Sequence, residues 1–360
     1  MPILLKPYLG CNLKCKYCYE EDYRHSHDIK QDYNIDKMFE SVDLIKRKRS
    51  IILHGGEPLC LPIEDVEKIL SEIFNRIGRS SIQTNATLIT DKHIELFKKY
   101  KTSVGISIDG DSGLSSFRFG LDTEKKVLNT MDILRANGIS TSFITVVSES
   151  NASTDEQLLQ LETWLYDIYK KGITGRVNPC VGLGQLPIKR MVEVYTRLTK
   201  FYLLNGFAVS PVNDLASKIN GGTGVCMFSG CDIYSTQAAT VILGDGTITN
   251  CMKTNHEDVY IRDTRSNKIR DKILKQTPQE NGGCSGCEYW DYCNGGCPST
   301  GIDGDWRNRT EICEVWKAII KVLMKARSVT NFTFKDNDCE HEDSHEDEPH
   351  IDHVDGAVNE

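Results

Sequence analysis

Short runs rich in β-branched residues alternate with longer helical patterns through the first half of the chain, and few architectures accept that order. The runs are 2–8, "SIILH" (50–54), "SSIQT" (80–84), "SVGISI" (103–108), "ISTSFITVV" (139–147) and "TGRVN" (174–178), all of strand length. Helical patterns fill the intervals at 36–49, 62–77, 90–101, 123–137 and 154–171. Ser153 and Glu156 have capping-box spacing ahead of "LLQLETWLYDIY". The cations of "KRKR" (46–49) fit the last turn of the first helix, where they meet the negative pole of its dipole. Strand and helix repeating in units of about thirty residues predict an α/β fold with a parallel sheet. Six units, where a closed barrel has eight, predict a partial (β/α)6 TIM-like barrel, whose chemistry gathers at the C-terminal ends of the strands.

A sixth helix, "PIKRMVEVYTRLTKFYLLNG" (187–206), leads out of this region. Residues 1–206 are therefore expected to form the barrel and 207–225 a connection. Residues 226–328 are rich in Cys and Gly, with a hairpin expected around Gly244-Asp245-Gly246 and a closing helix at 311–328. Residues 329–360 form an acidic tail with no apolar patterning, expected to be mobile. From Asp336 to Glu360 there are eleven acidic and no basic residues, so the remainder, 40 acidic against 43 basic, is near neutral. It offers no large basic field for nucleic acid. There is no run of eighteen apolar residues and no signal peptide, which predicts a cytoplasmic protein with no membrane partner.

In a reducing cytosol, fourteen cysteines argue for metal or cluster ligation and against a disulfide framework. Three fall together: Cys11, Cys15 and Cys18 in "LGCNLKCKYCYEED", on the loop after the first strand. Soft thiolates suit iron–sulfur clusters or zinc. A structural zinc site asks for four ligands, whereas three thiolates on a four-iron cubane leave one iron open.

"CNLKCKYC", with Tyr17 at the aromatic position, resembles the motif of the radical SAM family. The resemblance implies a [4Fe–4S] cluster on Cys11, Cys15 and Cys18, with S-adenosylmethionine chelating the open iron. Reductive cleavage of that cofactor yields a 5′-deoxyadenosyl radical that abstracts hydrogen from carbon. Further elements follow successive strands. "HGGEPL" (54–59) looks like the family's GGEP element, implying Gly55, Gly56, Glu57 and Pro58 near the cofactor's amino group, and glycine there lets backbone approach a ligand. "QTNAT" (83–87) is similar to its T-N-G element, with Ala86 in place of glycine, and gives Thr84 and Asn85. "SIDG" (107–110) resembles an S-x-D-G stretch and gives Ser107 and Asp109 as polar contacts to the cofactor.

The second segment resembles the SPASM extension, which holds two auxiliary [4Fe–4S] clusters, for three in all. The resemblance implies Cys226, Cys231, Cys251 and Cys297 for one, and Cys284, Cys287, Cys293 and Cys313 for the other. A pair of zinc ribbons is the alternative reading of these spacings. Cys60, Cys180 and Cys339 remain. Buried free cysteine packs as a small hydrophobe, but Cys60 and Cys180 follow strand ends and could donate hydrogen to a substrate radical. Cys339 shares the tail with His341, His345, His350 and His353, a set able to bind a divalent metal weakly.

The resemblance implies a maturase of a peptide or protein substrate, foremost a ribosomally made peptide, and a reductant such as flavodoxin or ferredoxin. The chain starts almost at its first strand, so recognition of a leader peptide is expected to need a separate protein or another surface. Sulfatase-maturing members carry an Asp base directly after the cysteine matching Cys251. Met252 and Lys253 stand here instead, which counts against formylglycine formation. The alternatives are a radical SAM dehydrogenase or epimerase of a small molecule or sugar, and a non-catalytic iron–sulfur or metal-handling protein.

Overall fold

The computed structural model describes residues 2–21, 24, 32–45, 50–206, 209–223, 226–229, 231, 239–249, 251, 253 and 269–330. The "KRKR" run, Met252, and the tail with Cys339 and its histidines lie outside these residues.

Six parallel strands form in chain order: β1 (Pro2–Lys6), β2 (Ser50–Leu53), β3 (Ser80–Thr84), β4 (Thr102–Ser107), β5 (Thr141–Val147) and β6 (Thr174–Pro179). Each neighbours the next, as short helical crossovers require. The crossovers are α1 (Ile35–Asp43), α2 (Ile63–Ile77), α3 (Asp91–Lys99), α4 (Leu121–Ala136), and the pair α5 (Glu149–Ala152) and α6 (Asp155–Lys170). Their apolar stripes face the sheet. In α2, Val66, Ile69, Leu70 and Ile73 recur at helical spacing and are fully buried, and Gly78 at φ 71° ends the helix.

Two local expectations are corrected. The capping box of α6 uses Thr154 and Gln157, not Ser153 and Glu156. Ser153 is already committed to the end of α5, where its hydroxyl donates to the Glu149 carbonyl at 2.8 Å. The first helix stops at Asp43, short of the basic run expected to form its last turn.

The hairpin is present, as β7 (Thr240–Leu243) and β8 (Ile248–Thr249), and it extends the main sheet. Strand β7 pairs in parallel with β1, Ile3 opposite Thr240 through Lys6 opposite Leu243. The sheet order is thus β6-β5-β4-β3-β2-β1-β7-β8. At the opposite edge, the Val177 N–H donates to the Ser210 carbonyl at 2.7 Å and Ser210 returns a bond to Gly175. After α7 (Ile188–Asn205) and α8 (Val212–Ile219), the Cys-rich region carries α9 (Ile269–Gln276), α10 (Trp290–Cys293) and the closing α11 (Cys313–Thr330). Helix α11 packs on α7 and α8. It buries Val315, Trp316, Ile319 and Ile320, with Trp316 edge-on to Phe228 at 5.3 Å. No described helix is long and apolar enough to cross a membrane.

Candidate active site

The loop after β1 is clamped from two sides. Gly56 N–H donates to the Tyr8 carbonyl at 3.1 Å and Glu57 N–H to that of Gly10 at 2.9 Å. A Cβ on Gly56 would stand 2.2 Å from the Leu9 oxygen and 2.3 Å from that of Gly10. The glycine pair thus lets the backbone after β2 press directly on the segment leading into Cys11. On the other side, Lys16 N–H donates to the Phe117 carbonyl at 2.9 Å. The Tyr17 hydroxyl donates to the Asp109 carboxylate.

Cys11, Cys15 and Cys18 face one cavity of about 280 Å³ at the C-terminal ends of β1 to β6. Of the other residues singled out from sequence, Tyr17, Gly55, Gly56, Glu57, Thr84, Asn85 and Ser107 line it, and Cys180 closes it at the end of β6. Pro58 is buried behind it in a 3-10 turn, and Cys60 is exposed in a separate groove beside Tyr33 and Asp65. Burial pushes the Cys11 thiol up to about 11 and raises that of Cys15, against the pull of the adjacent Arg118 guanidinium. Arg24 donates to the Cys18 sulfur at 3.5 Å. Two guanidiniums thus stand beside the three thiols, positive charge set against the burial that raises Cys11 and Cys15.

Glu57 joins β2 to β3 and is 1% exposed. Its carboxylate accepts from Leu59 N–H at 3.0 Å, the Thr84 hydroxyl at 2.6 Å and Asn85 N–H at 2.7 Å. Burial still raises its pKa. Asp109 is fully buried and does not line the cavity. It holds Tyr17, stands 3.0 Å from Arg118 Nε, and accepts from Val146 N–H at 2.8 Å. This carboxylate braces the wall behind Tyr17.

The remaining thiols fall into two groups. Burial, then Cys297 and Cys251, pushes Cys226 up to about 11, and burial, then Cys226, Cys297 and Cys251, pushes Cys231 up to about 12. Cys284 and Cys293 behave likewise, at about 11 and 12, through burial and the neighbouring Cys287 and Cys313. Among the described residues, no three His, Cys, Asp or Glu side chains lie close enough to share a single metal ion. A cubane spreads four thiolates over four irons and asks only that they surround it. Buried Arg270, on α9, donates to the carbonyls of Gly296, Trp306 and Asn308 and so ties the loops that carry the second group.

Several cavity residues were not assigned a role from the sequence. Gln83 donates to the Ser107 hydroxyl at 3.1 Å. His54 faces the cavity, and burial, then nearby Lys6, lowers its pKa to about 4. Lys6 is itself buried and paired with Glu20. Lys253 lies over the Tyr19 ring at 5.5 Å. Arg118 sits in "SSFRFG", a stretch with no recognisable pattern.

Residues 5–161 match the family model described as the Radical SAM superfamily. A cysteine-type anaerobic sulfatase-maturating enzyme of Clostridium perfringens is 26% identical over 352 residues, covering 82% of this chain and 88% of the relative. A serine-type counterpart from Bacteroides thetaiotaomicron is 28% identical over 170 residues, 42% of this chain and 40% of that one. Among solved structures, anSMEcpe with bound AdoMet superposes with a TM-score of 0.69 at 20% identity, covering 91% of this chain and 97% of that one. Streptococcus suis SuiB bound to the precursor peptide SuiA gives 0.59 at 16% identity, covering 87% and 75%. At these identities the two structures establish the shared fold.

Proposed function

This chain is a radical SAM enzyme with a SPASM-type C-terminal region, and on that premise we propose that it modifies a residue within a peptide or protein by removing hydrogen from carbon. The observation that carries the reading is the convergence of three thiols from one loop on a strand-end cavity beside Gly55, Asn85 and Ser107. Cys11, Cys15 and Cys18 would hold a [4Fe–4S] cluster, and Cys226, Cys231, Cys251 and Cys297, with Cys284, Cys287, Cys293 and Cys313, would hold two more. With S-adenosylmethionine bound beside them, the three thiols' cluster would supply the radical chemistry that removes hydrogen from carbon.

The chain's own groups do the rest. Gly55, Gly56, Thr84, Asn85 and Ser107 form a polar wall to orient the cofactor, while Glu57 fixes two of those strand ends to each other. Tyr17 is braced by Asp109 and holds the loop of thiols against β4. Ile144, Val146, Pro179 and Val181 make the opposite wall apolar and keep water from the reacting carbon.

The relatives' names make a cysteine- or serine-containing sulfatase peptide the first substrate to try. Met252, not a carboxylate, directly follows Cys251, which supports a different residue of a ribosomally made peptide. The test is anaerobic reconstitution with iron, sulfide, dithionite and S-adenosylmethionine. The reading expects 5′-deoxyadenosine, and peptide products lighter by two hydrogens or carrying solvent deuterium. Failure to form 5′-deoxyadenosine in fully loaded protein would sink it.

A further inference from the structure

The sequence "CPST" (297–300) folds into a tight turn that starts at one of the thiols. Pro298, with its fixed φ, opens a 3-10 turn for which Cys297 is the capping residue. Thr300 closes it, its N–H and its hydroxyl both donating to the Cys297 carbonyl, at 3.2 and 3.0 Å. The same hydroxyl lies 2.6 Å from that of Thr310, which ties the turn to the segment before α11. Ser299 is the residue of this turn whose hydroxyl does not serve the backbone. Its Oγ stands 3.1 Å from Cys297 Sγ, its one side-chain hydrogen bond among the described residues. Cys297 is in turn close enough to Cys226 and Cys231 to act on both thiols.

We propose that Ser299 is a positioning residue that raises the reduction potential of the cluster shared by Cys226, Cys231, Cys251 and Cys297, through its hydrogen bond to the Cys297 sulfur. This goes beyond the function proposed above and rests on its assignment of that cluster. A ligating cysteine is a thiolate with no proton to give, so the direction of the bond is fixed and the hydroxyl donates. An added electron makes the cluster's sulfurs more negative, and a donor aimed at one of them is then held more strongly. The bond therefore favours the reduced form. Ser299→Ala removes the donor, whereas Ser299→Thr keeps a hydroxyl on the same carbon.

A potential separates this role from a merely structural one. Reconstituted full-length wild type, Ser299→Ala and Ser299→Thr would be titrated with dithionite in the presence of redox mediators and followed by electron paramagnetic resonance. Cys231→Ala, expected to lack this cluster, identifies which reduction step belongs to it. In Ser299→Ala the ratio of reduced to oxidised form in that step should fall about tenfold at a fixed potential, a downward shift of about 59 mV for a one-electron couple. The other steps and the iron content should stay as they are, and Ser299→Thr should return the step to its wild-type position. An unmoved step in Ser299→Ala overturns the proposal, as does an equal shift in Ser299→Thr. Loss of iron from Ser299→Ala also overturns it, because the serine would then hold the turn and not tune the cluster. If Cys231→Ala keeps every step and all its iron, the cluster assignment fails and this inference fails with it. None of these readouts requires turnover, so failure to form 5′-deoxyadenosine counts against the proposed function alone.

Discussion

The phenol of Tyr17 donates its proton to the carboxylate of Asp109, so a residue inside the three-thiol loop is fastened to the end of β4. Tyr17→Phe removes one bond to a carboxylate that keeps Arg118 and the Val146 N–H, at an expected cost of about 1–3 kcal/mol. Asp109→Asn leaves the Arg118 guanidinium buried without its counter-charge and should cost more, about 3–5 kcal/mol. Denaturant unfolding of both variants checks the order. Equal losses would mean that Arg118 does not depend on Asp109.

Gly56 and Gly78 separate two uses of glycine. Gly56→Ala drives a methyl into the Leu9 and Gly10 carbonyls, so the loop before Cys11 must move, and reconstituted protein should lose the iron of the first cluster. Gly78→Ala meets open space and suffers only the strain of its left-handed backbone, about 1 kcal/mol, with iron unchanged. Iron assay beside thermal melting distinguishes them.

Thiol substitutions should remove iron in separable portions. Cys15→Ala, Cys231→Ala and Cys293→Ala are each expected to cost one cluster's share, while Cys60→Ala, exposed and outside the cavity, leaves the iron content as it was. Iron and sulfide analysis with visible spectra reads this directly. Equal loss from Cys60→Ala would contradict the grouping.

His54 gives a pH signature. Its pKa is about 4 in the folded chain against an ordinary 6.5, because burial disfavours the imidazolium. Between those values the unfolded chain binds more protons than the folded one. The group's contribution is therefore whole above pH 6.5 and is lost as pH falls toward 4. From pH 7.5 to 5 this amounts to about 2 kcal/mol of unfolding free energy. In His54→Gln the pH slope should shrink by that amount, as measured by urea unfolding at the two pH values.

The six strands and the first group of three thiols were legible because each has a local cause. β-Branched runs show strands, and the spacing of Cys11, Cys15 and Cys18 puts three thiols on one loop, whereas the grouping of the later cysteines came only from a family resemblance. What escaped depends on distant partners. Nothing in "TVIL" says that it lies parallel to β1, since another hydrophobic strand would satisfy the same pattern. "SIDG" suggested Asp109 as a contact to the cofactor, whereas its carboxylate turns inward to Tyr17 and Arg118. Arg118, Lys253 and Arg270 are ordinary surface residues by composition, and only the tertiary fold gives them cavity or carbonyl neighbours. The shift of the α6 cap from Ser153 to Thr154 has a nearer cause, a four-residue helix too short to register in the sequence.

The pairing of β7 with β1 means that the chain cannot be divided at the end of the barrel without injury. A fragment stopping after α7 would bare the hydrogen-bonding edge of Ile3 to Lys6, a flat apolar ribbon ready to recruit strands from other molecules. Such a fragment should precipitate, and what looks like an appendage in the sequence is the selvedge that keeps the sheet from fraying.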